Sequence, residues 1–389
     1  MGKIAIIGYH EVPTQINPER TRWDILEEVI TGAVRNAGID KDDIQGVINV
    51  APQAQPDLIS QTAFGLIPEH FGLKGVKDNM ICNAGGASTT NCVRMAEQWI
   101  TSGMAEVVIV PHTTVQSDIP AEDLISFFAK APMHPEWEFP FGMTFNGAMA
   151  LITERYMYET NTSEEEMASV TYALRDWGSR DPMSLFFNKP QSMDDILNAR
   201  KISTPLRAKD CNMLADGGGC LIIASEAYAK KHCAKPVWKL GHGSAFIGAT
   251  PAVREDVYWR ESYKKSTSEA LQQANLNVED IDIHEIYGAY PFSQCAYVEA
   301  VGLCDEGEGA RYHAAGHTLL GGKTPCTTMG DATGRGHTGS GVSMAFYCQV
   351  ARQLRGEAGD NQVDGANKVM VVTAGGSGMN ALTTIWGAE

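Results

Sequence analysis

The chain has 389 residues, 43% of them hydrophobic, enough to bury a substantial core and to form about two or three domain-sized units. Its charges sum to −16, an acidic balance that argues against DNA, RNA or an anionic membrane as the main partner but leaves room for a phosphorylated small molecule at a local basic patch. No stretch approaches the roughly 20 apolar residues of a membrane span, and the opening Met-Gly-Lys-Ile-Ala-Ile-Ile-Gly runs straight into a strand without a signal-peptide pattern, so a soluble cytoplasmic protein is expected.

Ile4 to Ile7 reads as a buried strand, and Trp23 to Val34 as a helix with one apolar face made by Ile25, Leu26, Val29, Ile30, Ala33 and Val34. Val47 to Val50 is the next strand. The stretch from Ile81 to Ile100, followed by Ser102-Gly103 and the apolar run Val107 to Val110, reads as strand, turn, helix and strand. Residues 113 to 200 interrupt this rhythm with aromatic and Pro-containing sequence such as Met133-His-Pro-Glu-Trp-Glu-Phe-Pro-Phe-Gly142, an insertion suited to roofing a site. Within it, Ser163 and Glu166 form a capping box ahead of a helix. Strand pattern returns from Asp216 to Ala224.

A second unit opens at about Pro236 and repeats the plan. It has strands at Val237–Leu240, Ile281–Ile286, Lys368–Thr373 and Leu382–Ile385, a helix near Ser266 to Asn275, and a long helix ending in Gln353-Leu-Arg-Gly. The reading is therefore an α/β protein of two units, 1–235 including the insertion and 236–389. The nine cysteines carry no Cys-x-x-Cys pair, which supports neither a disulfide framework nor a zinc site, so reduced thiols and no metal are expected.

Several blocks resemble the thiolase superfamily, and together they span nearly the whole chain. These are Gly85-Gly86-Ala87-Ser88 opening a helix, Ala199-Arg-Lys-Ile-Ser-Thr-Pro-Leu-Arg207 before Asp216-Gly217, His284-Glu-Ile-Tyr-Gly-Ala-Tyr290 continuing to Glu299-Ala-Val-Gly-Leu303, and Gly334-Arg-Gly-His-Thr-Gly339. The resemblance is greatest to the sterol-carrier-protein and lipid-transfer-protein branch. Through Gly85 to Ser88, Val93-Arg94 and Glu138-Phe-Pro-Phe-Gly142 it extends to the acyl-CoA aldolases of steroid side-chain breakdown. It implies a thiolase fold, two similar halves in a five-layered α/β/α/β/α sandwich. It also implies coenzyme A thioesters as substrate, no permanently bound cofactor, a homodimeric core with the edge strand near Met80 to Asn83, and a separate zinc-ribbon and OB-fold partner subunit.

The departures from that family bear on chemistry. Gly86 stands where a thiolase carries its nucleophilic cysteine, and Ala374 stands where the second thiol belongs. A retro-Claisen reaction needs an acyl acceptor, whereas retro-aldol cleavage of a β-hydroxyacyl-CoA needs only acid, base and an oxyanion hole. Tyr287, Tyr290 and His337 are the candidate acid/base and oxyanion group, with the glycine turns at Gly86 and in Gly375-Gly376-Ser377-Gly378 offering backbone donors to a thioester oxygen. Cys82 and Cys326 are the alternative nucleophiles, and either would restore a thiolase or acyltransferase. A non-catalytic thiolase-like subunit is the third reading. The ligands of the coenzyme A phosphates are not assigned.

Overall fold

A computed structural model describes residues 3–16, 19–51, 58–130, 133–248, 250–376 and 378–388; Ser377 of the glycine-rich run lies outside them. The first unit contributes strands β1 (Ile4–Glu11), β2 (Gly46–Val50), β3 (Asp78–Cys82), β4 (Val107–Thr114) and β5 (Gly217–Ser225), with helices α1 (Arg22–Ala37), α2 (Leu58–Phe71) and α3 (Ser88–Thr101). Between β4 and β5 lie α4 (Ala121–Lys130), α5 (Phe145–Thr160) and α6 (Glu164–Arg180). The second unit contributes β6 (Val237–Phe246), α7 (Arg260–Ala274), β7 (Ile283–Ile286), α8 (Pro291–Ala300), α9 (Met344–Arg355), β8 (Lys368–Gly375) and β9 (Asn380–Gly387).

Strand order runs β3-β2-β4-β5-β1, then β6-β9-β8-β7. In the first group only β5 opposes its neighbours β4 and β1, and in the second only β9 opposes β8 and β6. A parallel bridge between His284 and Cys326 lies beside β7 where the first group has β3. From the outer edge inward, the two groups share one topology. They join edge to edge through the antiparallel pairs Ala5–Trp238 and Ile6–Val237.

Helix contacts order the layers. α1 covers β1, β4 and β5 on one side and α7 covers β6 and β9 on the other, while α3 and α9 each reach strands of both groups. The result is the five-layered sandwich. Strands covered on both faces read as unbroken apolar runs, as β1 does in Ile4-Ala-Ile-Ile7, each residue at most 1% exposed. α3, which contacts strands of both groups, buries mainly small residues in its first turns: Ser88, Thr89, Thr90 and Cys92. Its Thr90 hydroxyl lies 2.9 Å from Tyr347 Oη of α9 and 2.8 Å from Thr373 Oγ1 of β8, so the buried hydroxyl stitches the halves together.

The Ser163–Glu166 capping box is present at the start of α6, and α1 begins with a second box made by Thr21 and Asp24. β3 lies at the outer edge of the array. All nine cysteines are free thiols. Among the described residues no group of His, Cys, Asp or Glu is arranged to hold a metal ion, and no helix is long and apolar enough to cross a membrane.

A candidate active site where four turns meet

Four chain segments converge between the two halves: the turn before α3, the turn after β7, the loop after a short helix at Asp331–Arg335, and the end of β8. Gly85 sits in this meeting at a φ of +58°. A Cβ built there would lie 3.1 Å from the backbone nitrogen of Gly376, so the two glycine turns approach closely because neither has a side chain.

Gly86 is the decisive position. A Cβ built there would lie 1.9 Å from Tyr287 Cε1, 2.7 Å from Tyr287 Cζ and 2.9 Å from the carbonyl oxygen of Ala374. The phenol ring of Tyr287 therefore fills the space that a side chain at 86 would need, on the side that also faces Ala374. Tyr287 follows β7 directly, and its N–H donates to Val372 O at 2.9 Å. Its ring packs edge-on against Phe346, and its hydroxyl lies 3.3 Å from His337 Nε2.

His337 is held from several directions. Its N–H donates to Met213 O at 2.8 Å, and its carbonyl accepts from Ala215 N at 3.1 Å and from Gln116 Nε2 at 2.9 Å. Below it, His112 Nε2 meets Thr338 O at 2.9 Å. The Nδ1 of His337 accepts the Gly339 N–H at 3.1 Å, so that nitrogen carries no proton. Burial lowers the His337 pKa to about 4 and leaves the ring neutral, which puts its one proton on Nε2. His337 thus presents a donor beside the Tyr287 hydroxyl. Burial, with the nearby Asp331 carboxyl, pushes the Tyr287 pKa up and keeps its proton on. Two donors stand side by side.

Tyr290 takes a different place. Its hydroxyl donates to Asn146 Oδ1 of α5, its ring meets Phe145 edge-on, and burial holds its pKa well above that of free tyrosine. A cavity of about 310 Å³ has Tyr290 and His337 in its wall, together with Asn146, Asn212, Phe128 and Cys211. Through Ile125, Cys211, Asn212 and Leu214 it adjoins a wider one of about 650 Å³ that passes Arg175 and Arg200. α4 supplies Ile125, Phe128 and Ala129, so the insertion does wall the site, though as helix in this part rather than loop.

The two alternative thiols lie off that cavity wall. Cys82 ends β3, its sulfur 3.3 Å from Asn91 Nδ2, and hydrogen bonding from Cys92 lowers its pKa to about 7. Cys326 is 2% exposed, donates to Thr324 O at 3.2 Å, and is pushed well up by burial.

Sequence reasoning passed over Asn146, Asp331 and Glu285. Glu285 is fully buried on β7, bonded to the Thr328 hydroxyl and raised by burial to about 8. Asn146 follows an ordinary helix start and carries no signal. Asp331 stands in the same glycine-rich block as His337, and an acidic residue there was the available clue.

The fold is of thiolase type, and comparison with known proteins agrees. Residues 247–388 match the family described as thiolase C-terminal domain-like. The chain is 27% identical to the acetyl-CoA acetyltransferase of Methanothermobacter thermautotrophicus over 99% of its own length and 100% of that protein. It is 24% identical to a steroid side-chain-cleaving aldolase of Thermomonospora curvata, covering 100% of this chain and 98% of that one. Among solved structures, the "Ltp2-ChsH2(DUF35) aldolase" superposes with a TM-score of 0.82 at 24% identity, covering 100% of this chain and 98% of the other. The chain is thus similar over nearly its whole length to proteins of thiolase type, among them the steroid side-chain aldolases, and it shares their fold.

Proposed function

We propose that this chain is an acyl-CoA-dependent carbon–carbon bond enzyme that cleaves a β-hydroxyacyl-CoA by retro-aldol chemistry without a cysteine nucleophile. The observation that carries this reading is the Tyr287 ring lying where a side chain at 86 would be. Proteins named as aldolase, lyase and acetyltransferase among the relatives agree with the broader class.

In this reading the thioester oxygen sits between the Tyr287 hydroxyl and His337 Nε2–H, 3.3 Å apart, which stabilise the enolate as the Cα–Cβ bond breaks. Tyr290, whose proton is given to Asn146, offers its oxygen to the substrate's β-hydroxyl and orients it. The hydroxyl loses one proton and the α-carbon gains one, so the reaction consumes no net proton and the products are a ketone or aldehyde and a shortened acyl-CoA. A protonated Tyr287 suits the acid role rather than the base role. Gly86 and Gly376 add close backbone approach to the same oxygen.

The acyl group occupies the cavity at Tyr290, and the pantetheine arm runs along the adjoining one toward Arg200. Residues 1–235 and 236–389 act as the two halves, and a homodimer joined through β3 with a separate zinc-ribbon and OB-fold subunit is the assembly we propose. The test is incubation of the purified protein, alone and with such a subunit, with a panel of bulky β-hydroxyacyl-CoAs, followed by mass spectrometry. Release of carbonyl product and shortened acyl-CoA is expected, with Tyr287→Phe lowering kcat about a hundredfold or more while acyl-CoA binding persists. A cysteine acylated during turnover would refute the reading and restore the retro-Claisen alternative.

A further inference from the structure

The helical turn at Asp331–Arg335 is the last structure before His337, and its first residue is unusual in two ways. Asp331 is 0% exposed, and its φ is +52°, in the left-handed region where glycine is at ease and a side chain is disfavoured. The backbone alone is thus better served by glycine. What aspartate adds is a carboxyl.

That carboxyl reaches across to the other block of the site. Oδ1 accepts the Ala332 N–H at 2.7 Å and so ties the turn that leads to His337. Oδ2 accepts the Gly288 N–H at 3.4 Å and the Gln294 amide at 3.4 Å. Gln294 in turn donates to Ile286 O at 2.9 Å, and Ser293 donates to Gly288 O at 2.7 Å, so Oδ2 holds the Gly288 peptide directly and the Ile286 carbonyl through Gln294, one on each side of Tyr287. Ala289, next along, also has a positive φ of +63°, and this turn needs outside support to persist. One buried group joins both.

We propose that Asp331 is a positioning residue, a carboxyl clasp that sets the distance between the Tyr287 hydroxyl and His337 Nε2. It is not among the residues lining the 310 Å³ cavity and acts through the two turns it joins. The inference rests on the reading of Tyr287 and His337 as the oxyanion pair, but its structural half can be tested without any substrate.

Asp331→Gly relieves the left-handed backbone and removes the carboxyl. A crystal structure of that variant should show the Tyr287–Tyr290 turn displaced and the 3.3 Å approach of Tyr287 to His337 lost. On a substrate that the native enzyme cleaves, kcat should fall about a hundredfold with KM changed little, the scale expected for an ångström of misplacement. Asp331→Asn keeps an acceptor toward Ala332 and should recover part of the loss. An unchanged Tyr287–His337 distance with kcat within twofold of native would overturn the clasp. Should Asp331→Gly not fold, Asp331→Asn decides: a lowered kcat at nearly native melting temperature supports the proposal, and an unchanged kcat rejects it. If the native protein cleaves no acyl-CoA at all, the functional reading falls while the crystal structure still decides the clasp.

Discussion

Adding one methyl group at position 86 tests the central contact. The φ of Gly86 lies outside the left-handed region, so Gly86→Ala carries little backbone penalty and its whole effect is steric. The new Cβ would meet Tyr287 Cε1 at 1.9 Å, when carbon atoms rest at about 3.5–4.0 Å, and would also crowd the Ala374 carbonyl at 2.9 Å. The ring has to move by well over an ångström, which alters its approach to His337. Overpacking of this kind costs about 1–3 kcal/mol, which for a chain of this length is about 1–4 °C in melting temperature. Moving the hydroxyl out of reach of the substrate should cost about a hundredfold in kcat. A double-mutant cycle with Tyr287→Ala, read by thermal melts, isolates the collision. The methyl should be far less damaging once the ring is gone, with a coupling of about 1–3 kcal/mol. A Gly86→Ala protein with native melting temperature and kcat within twofold would show that the ring does not occupy that space.

Cys82→Ala and Cys326→Ala should each retain most cleavage activity in a steady-state assay, whereas removal of a true covalent nucleophile costs about a thousandfold or more. His337→Ala should fold, bind acyl-CoA and lose about a hundredfold in kcat, since it removes one of two donors to the enolate oxygen. Buried Glu285, raised to about 8, binds its proton more tightly folded than unfolded, so it draws stability down as pH rises from about 4.5 to 8. Glu285→Gln should therefore match native stability near pH 5 and exceed it by a few kcal/mol at pH 8, since each pH step of one across that window costs the native protein about 1.4 kcal/mol. Equal native and variant stability in urea melts at both pH values would refute that account.

The sequence alone determined the α/β class, the order of the main strands and helices, and the absence of a cysteine at 86. Buried parallel and mixed strands must be apolar throughout, and capped helices announce their starts, so Ile4–Ile7, Val107–Val110 and Ser163–Glu166 are legible from composition and spacing. Tyr287, Tyr290 and His337 were named as one group from the blocks they sit in. Their division into different places was decided by tertiary structure. Tyr287 faces His337 because β7 ends opposite Gly86, while Tyr290, three residues on, turns to Asn146 on α5. The identity of the donors was settled by burial and by the Gly339 N–H on Nδ1, neither of which has a signature along the chain. Glu285 was invisible for the same reason, and Asp331 offered only its place near His337 as a clue. A carboxyl acquires its meaning from which peptides surround it once water is gone, and the contacts that surround these two come from segments about 40 residues distant.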